Sequence, residues 1–161
     1  MDRNQGVRPD LQAAEQGDLA GFYDTRLTCQ IVAALTAYGQ LARRFGVVGE
    51  LIVVAGVSAV GLPVSLTTGP GRFEAENATV VTAPVQTRLS IDADQLMTPT
   101  GVLEAAAPLL DDLMTAFGWP RCVQLERDGT IVLKTWGRGW VPQIEEWVIT
   151  NGLATRPDPV R

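Results

Sequence analysis

Apolar positions along the first half of the chain fall into two rhythms. From Thr25 to Phe45, Leu27, Ile31, Leu35, Tyr38, Ala42 and Phe45 recur at spacings of three and four, which places them on one face of a helix. Asp24 or Thr25 can cap its start, Arg43 and Arg44 suit the negative end of its dipole, and Gly46 can take the left-handed stop. The pattern then changes. Glu50 to Val57 reads ELIVVAGV, a short β-branched run bounded by glycines, and predicts a strand buried on at least one face. GLPVSLTTGPGR, residues 61–72, reads as a glycine-rich loop with a turn at TTGPG; it is neither a Walker loop nor GxGxxG. Residues 72–91 look extended, and Pro84 confines any strand there to an edge or breaks it.

The second half repeats the alternation. Thr98 as cap with Pro99 at the first helical position opens a helix whose stripe is Leu103, Ala106, Leu110, Leu113 and Phe117. Pro108 should kink or split it, and Gly118 stops it. Asp111 and Asp112 fall on its polar side and are expected as a solvated face. RCVQLERDGTIVLKTW places two β-rich runs around Asp128-Gly129, the favoured pair for a tight hairpin. A short helix follows from Pro142 to Asn151, with Trp140, Ile144, Trp147 and Val148 on one side and Glu145 and Glu146 on the other.

The predicted fold class is α+β: an antiparallel or mixed sheet of about four to five strands against two main helices, with a short C-terminal helix. Residues 1–20 read as a flexible arm, 21–152 as a single domain, and 153–161 as a flexible tail. With 161 residues the chain can bury a core without staples.

Composition removes several chemistries. The chain has no histidine, so Ser-His-Asp, Cys-His and histidine-metal devices are excluded. Cys29 and Cys122, without a CxxC partner, read as two small buried residues. No metal site and no cofactor is expected. The longest apolar stretch, residues 51–64, is too short to span a bilayer, and the N-terminus shows no apolar signal region, so a cytoplasmic protein is the default. The formal net charge of −5 disfavours bare electrostatic attraction to nucleic acid or to an anionic membrane.

KTWGRGW, residues 134–140, concentrates two tryptophans, two cations and two glycines. Trp136, Arg138, Trp140 and Trp147 are the candidate partner-binding set, since tryptophan and arginine are enriched where proteins meet. Arg43, Arg44, Lys134 and Arg138 are the candidate nucleic-acid contacts. Carboxylates two apart in an extended strand share a face, so Asp92 with Asp94, or Glu74 with Glu76, are the residues an acid-based, metal-dependent enzyme would use.

Several stretches carry a family resemblance. YGQLARRFGVVGELIVVAGVSAVGLPVSL, then RFEAENATVVTAPVQTRLSIDADQL, then a helix ending LLDDLMTAFG, resembles the C-terminal region of actinobacterial proteins that carry a Schlafen-like (AlbA-type) DNA-binding domain. The matching positions are Gly49 to Val57, Gly61-Leu62 with Ser65, Thr87-Arg88-Leu89, and Leu103 to Phe117. Pro63 stands where that pattern has glycine. The resemblance implies an accessory module for dimerisation or partner contact and transfers no catalytic residue.

The expected function is therefore that of a non-enzymatic accessory or regulatory module that binds another protein or itself. A nucleic-acid-associated module of a regulatory or defence system and a carboxylate-based metal enzyme are the alternatives.

Overall fold

A computed structural model of the protein describes residues 20–58, 64–67, 81, 84–136 and 139–158. The elements are β1 (Ala20–Tyr23), α1 (Asp24–Phe45), β2 (Glu50–Val57), β3 (Val64–Thr67), β4 (Val85–Asp92), α2 (Pro99–Ala116), β5 (Ile131–Val132), α3 (Val141–Asn151) and β6 (Thr155–Arg156). Two 3-10 segments, Ala93–Met97 and Leu133–Thr135, precede α2 and follow β5. The fold is α+β, with two main helices and a short third. Its described strands form three separate pairs rather than one sheet of four to five: β1 with β3 in parallel, β2 with β4 antiparallel, and β5 with β6 in parallel.

The helix ends follow the residues that predict them. Gly46 takes the left-handed conformation and its N–H reaches the Ala42 carbonyl, with Arg43 and Arg44 in the last turn. Thr98 Oγ1 accepts from the Gly101 amide at 3.1 Å and Pro99 stands in the first turn. Gly152 ends α3 in the same left-handed form. Pro108 does not split α2, which runs unbroken through 18 residues. The structure starts α1 differently: Tyr23 occupies the cap with no side-chain bond, and Asp24 is a buried first-turn residue.

α2 is the centre of the core. Leu103, Ala106, Leu110, Leu113 and Phe117 are fully buried, and so are Val102, Ala105, Leu109 and Met114 beside them. Burial on several sides follows from position, with α1, β4 and the 3-10 segment Ala93–Met97 all in contact with α2. On α1 the buried set is Asp24, Leu27, Thr28, Leu35, Gly39 and Ala42. Tyr38 and Phe45, expected on the buried stripe, are 47% and 72% exposed. The cause is Gly39, where helix backbone lies against the Leu96 carbonyl so closely that a methyl group would overlap it. Contact centred on Gly39 turns the neighbouring stripe positions outward.

β2 and β4 form a ribbon of eight residue pairs, from Glu50↔Asp92 to Val57↔Val85. Leu51, Val53, Ala55 and Val57 face inward with Val85, Thr87, Leu89 and Ile91, while Ile52 and Val54 face outward. Pro84 stands immediately before β4, where its missing N–H costs no ladder bond. Part of the expected loop 61–72 is a strand: Val64–Thr67 runs parallel to β1, and Val64 also exchanges two 2.8 Å bonds with Val81. The rest of that loop, and the TTGPG turn beyond Thr67, lie outside the described residues.

The turn at Asp128-Gly129 forms with three loop residues rather than two. Glu126 accepts from the Gly129 amide at 3.0 Å and donates to Thr130 at 2.9 Å, with Gly129 at φ +76°. Asp128 Oδ1 accepts from the Thr130 amide at 3.0 Å, which holds its carboxyl below the usual range. The hairpin arms are short, with one bridge at Leu125↔Ile131. Ile131 and Val132 find their longer pairing with Thr155 and Arg156. Residues 153–158, expected as a flexible tail, are thus built into the fold. Leu153 is buried, and the Lys134 amide donates to the Pro157 carbonyl at 3.2 Å. Residues 1–19 of the expected arm and 159–161 of the tail lie outside the described residues, and Ala20 opens β1.

Asp111 and Asp112 are not a merely solvated face. Asp111 accepts from the Cys122 amide at 2.8 Å and from Arg127 Nε at 3.3 Å, tying the chain after α2 back onto the helix. Asp112 accepts from Thr87 Oγ1 of β4 at 2.6 Å. Both are joints between elements.

Candidate functional site

α1 carries a second face that the apolar stripe does not use. Cys29, Val32, Ala33, Thr36, Ala37 and Gln40 follow helical spacing, and most of them are small. α3 lies across this face, contributing Ile144 and Trp147. Leu103, Leu125, Ile131 and Trp136 close the cleft from the side of α2 and the hairpin. Short side chains on α1 cannot reach the opposite wall, so a hollow of about 420 Å³ remains. No residue of α3 is fully buried, which fits a helix laid over an unfilled space.

The hollow is chemically quiet. None of its lining side chains is charged. Thr36 Oγ1 donates to the Val32 carbonyl at 2.8 Å and is satisfied on its own helix. Burial pushes the Cys29 thiol up, so it is protonated at neutral pH and is a poor nucleophile.

A smaller hollow of about 220 Å³ adjoins it, sharing Thr36, Gln40 and Trp147. Here the lining changes character. Arg43, Met97, Thr98 and Asn151 contribute polar groups. Arg43 Nη2 donates to the Met97 carbonyl, and among the described residues no carboxylate pairs with it. Asn151 Nδ2 is held by the Trp147 carbonyl at 2.8 Å.

The expected partner-binding residues divide. Trp136 is a core residue at 5% exposure, and Trp147 is half-buried; both line the larger hollow. Trp140 is 45% exposed at the start of α3 and does not line it. Arg138 lies outside the described residues. Of the expected nucleic-acid contacts, Arg43 lines the smaller hollow and Arg44 lies over the Phe45 ring at 5.9 Å. Lys134 is paired with Asp158 at 2.9 Å. The acid pairs fare differently. Asp92 ends β4, but Asp94 falls in the 3-10 segment, so strand alternation does not bring them together. Glu74 and Glu76 lie outside the described residues. Among the described residues no group of three or more Cys, Asp or Glu is placed to hold a metal ion, and no helix is long and apolar enough to cross a membrane.

A buried polar cluster lies elsewhere, where α1 begins. Gln124 Nε2 donates to Asp24 Oδ2 at 2.8 Å, and Thr28 Oγ1 and Cys122 Sγ each donate to Gln124 Oε1 at 3.4 Å. Asp24, Thr28, Cys122 and Gln124 are all under 3% exposed. Burial, the largest cause, pushes the Cys122 thiol to about 11, so this cluster offers no thiolate and no open face for a substrate.

The outer face of the β2–β4 ribbon is the remaining surface of note. Ile52 and Val54 are 56% and 60% exposed. Beyond β2, no described strand pairs with its second edge.

No family model, no curated protein and no solved structure matches this chain. The Schlafen-like resemblance rests on the quoted stretches, of which residues 59–63, 72–80 and 82–83 lie outside those described.

Proposed function

We propose that this chain is a non-enzymatic binding module that associates with a second copy of itself through the edge of β2. The observation that carries this is β2 itself. It is eight residues long, has no charge after Glu50, contains no proline, and has one edge without a partner among the described residues. Edge strands are ordinarily guarded by charges, bulges or proline, and an unguarded one is a template for another strand. β4 carries such guards in Arg88 and in Pro84 before it.

The pairing is self-complementary. Two antiparallel β2 strands aligned with Ile52 opposite Val54 of the second copy would gather four aliphatic side chains on the outer face. The two ribbons would then form one four-stranded sheet. The interface is small, so a dimer of micromolar affinity or weaker is expected. The nucleic-acid reading has less support, because Lys134 is engaged with Asp158 and the chain is acidic overall.

Sedimentation equilibrium over a wide concentration range tests the reading. The wild type should be a reversible dimer, and Val54→Lys should be a monomer with an unchanged circular-dichroism spectrum. A wild type that stays monomeric at hundreds of micromolar, or a Val54→Lys variant that still dimerises, would sink it.

A further inference from the structure

The cleft between α1 and α3 is independent of the β2 edge and has a chemistry of its own. We propose that it binds an amphipathic monocarboxylate of the fatty-acid class, with the hydrocarbon in the larger hollow and the carboxylate at Arg43.

Three observations converge. The first is size and polarity. A hollow of about 420 Å³ falls within the range of small-molecule sites, and its lining has no charged side chain, so it favours hydrocarbon over water. The second is adjacency. The two hollows share Thr36, Gln40 and Trp147, so they lie side by side along α1. From Cys29 to Arg43 the helix rises roughly 21 Å, which suits an extended acyl chain better than a compact ring. The third is the change in charge at one end. Arg43 is the single cation on either lining, no acid lines either hollow, and its bond to the Met97 carbonyl leaves other guanidinium donors available. Thr98 and Pro99 bring the positive end of α2 to the same hollow, which adds to the attraction for an anion.

This arrangement selects against other occupants. A dianionic ligand would leave its second charge in a hollow whose lining has no charged side chain to offset it. A neutral hydrocarbon would fill the larger hollow and leave Arg43 unused. A monocarboxylate with a long apolar tail matches both ends.

The test uses dodecanoate, methyl dodecanoate and dodecanol, each below its aggregation limit, with isothermal titration calorimetry on the full chain. Dodecanoate should bind saturably, and about tenfold or more tighter than the ester or the alcohol. Arg43→Gln should remove that preference and leave the alcohol's affinity unchanged. Ala37→Phe, which fills the larger hollow, should abolish binding of all three. Cys29 gives a second readout, because it lines the larger hollow while Cys122 is buried. Dodecanoate should slow alkylation of Cys29. The proposal is overturned if dodecanoate shows no saturable binding, if acid and ester bind equally, or if binding survives Ala37→Phe.

Discussion

Cys122 is 2% exposed, and loss of hydration pushes its thiol from 9.0 to about 11. Its surroundings explain why the neutral form is kept: the thiol sits beside Thr28 and donates to Gln124 Oε1, while Gln124 in turn holds the buried Asp24 carboxylate. A folded-state value above the unfolded one means that the unfolded chain releases this proton first. The stabilisation is therefore complete below pH 9 and is lost as pH rises toward 11, at a total of about 2–3 kcal/mol. Other groups titrate in the same range, so the variant Cys122→Ala isolates the thiol. Urea unfolding at intervals from pH 8 to 11 should show the wild type's advantage over Cys122→Ala shrinking by about that amount. A constant gap between the two proteins would contradict it. Asp111, on the polar side of α2 toward its C-terminal end, belongs to the same lesson. Its sequence position suggests solvent, yet it accepts the Cys122 amide and so orients the thiol's own backbone.

Gly39 and Gly101 show the corresponding logic between elements. One lies against the Leu96 carbonyl and the other against the Gln95 carbonyl, so α1 and α2 both close on the 3-10 segment Ala93–Met97 with no side chain between. Alanine is intrinsically the better helix former by about 1 kcal/mol. At Gly39 the steric overlap should outweigh that, giving a net loss of about 1–3 kcal/mol for Gly39→Ala with an unchanged denaturant slope. An alanine variant as stable as the wild type would show that the two helices part easily. This contact also marks the boundary of what sequence patterning reveals. Helix ends were legible because Gly46, Thr98-Pro99 and Gly152 each act on their immediate neighbours. β2 was legible to the residue because its β-branched run ends in glycines at both sides. The exposure of Tyr38 and Phe45 was not, since it depends on a carbonyl far along the chain. The parallel pairs β1–β3 and β5–β6 join distant segments that carry no mutual signal. The cleft escaped for a related reason. Periodicity reports the large side chains that fill space, whereas this site is made by Ala33, Thr36 and Ala37 leaving it empty.

At the scale of the molecule, α1 separates the two proposed binding surfaces. Leu27, Ile31 and Leu35 face Val53 and Ala55 of β2, while Val32, Ala33 and Thr36 face the cleft. A ligand in the cleft and a second copy on β2 therefore lie on opposite sides of one helix, and only the ligand touches it. Each binds the folded chain and not the unfolded one, so each should raise the melting temperature by mass action, the first with ligand concentration and the second with protein concentration. A ligand at about 100 times its dissociation constant contributes about 2.7 kcal/mol. Because α1 is buried against the core near both of its ends, at Leu27 and Ala42, the two sites are expected to act independently. The effects should then add. In differential scanning calorimetry, Val54→Lys should lose the dependence on protein concentration yet keep the full dodecanoate shift. Arg43→Gln should keep the dependence on protein concentration, while its dodecanoate shift shrinks to the size that dodecanol gives. A dodecanoate shift that falls by half or more in Val54→Lys would mean that the helix transmits between its two faces. The dimer would then be a device that reads the occupancy of the cleft rather than a neighbour indifferent to it.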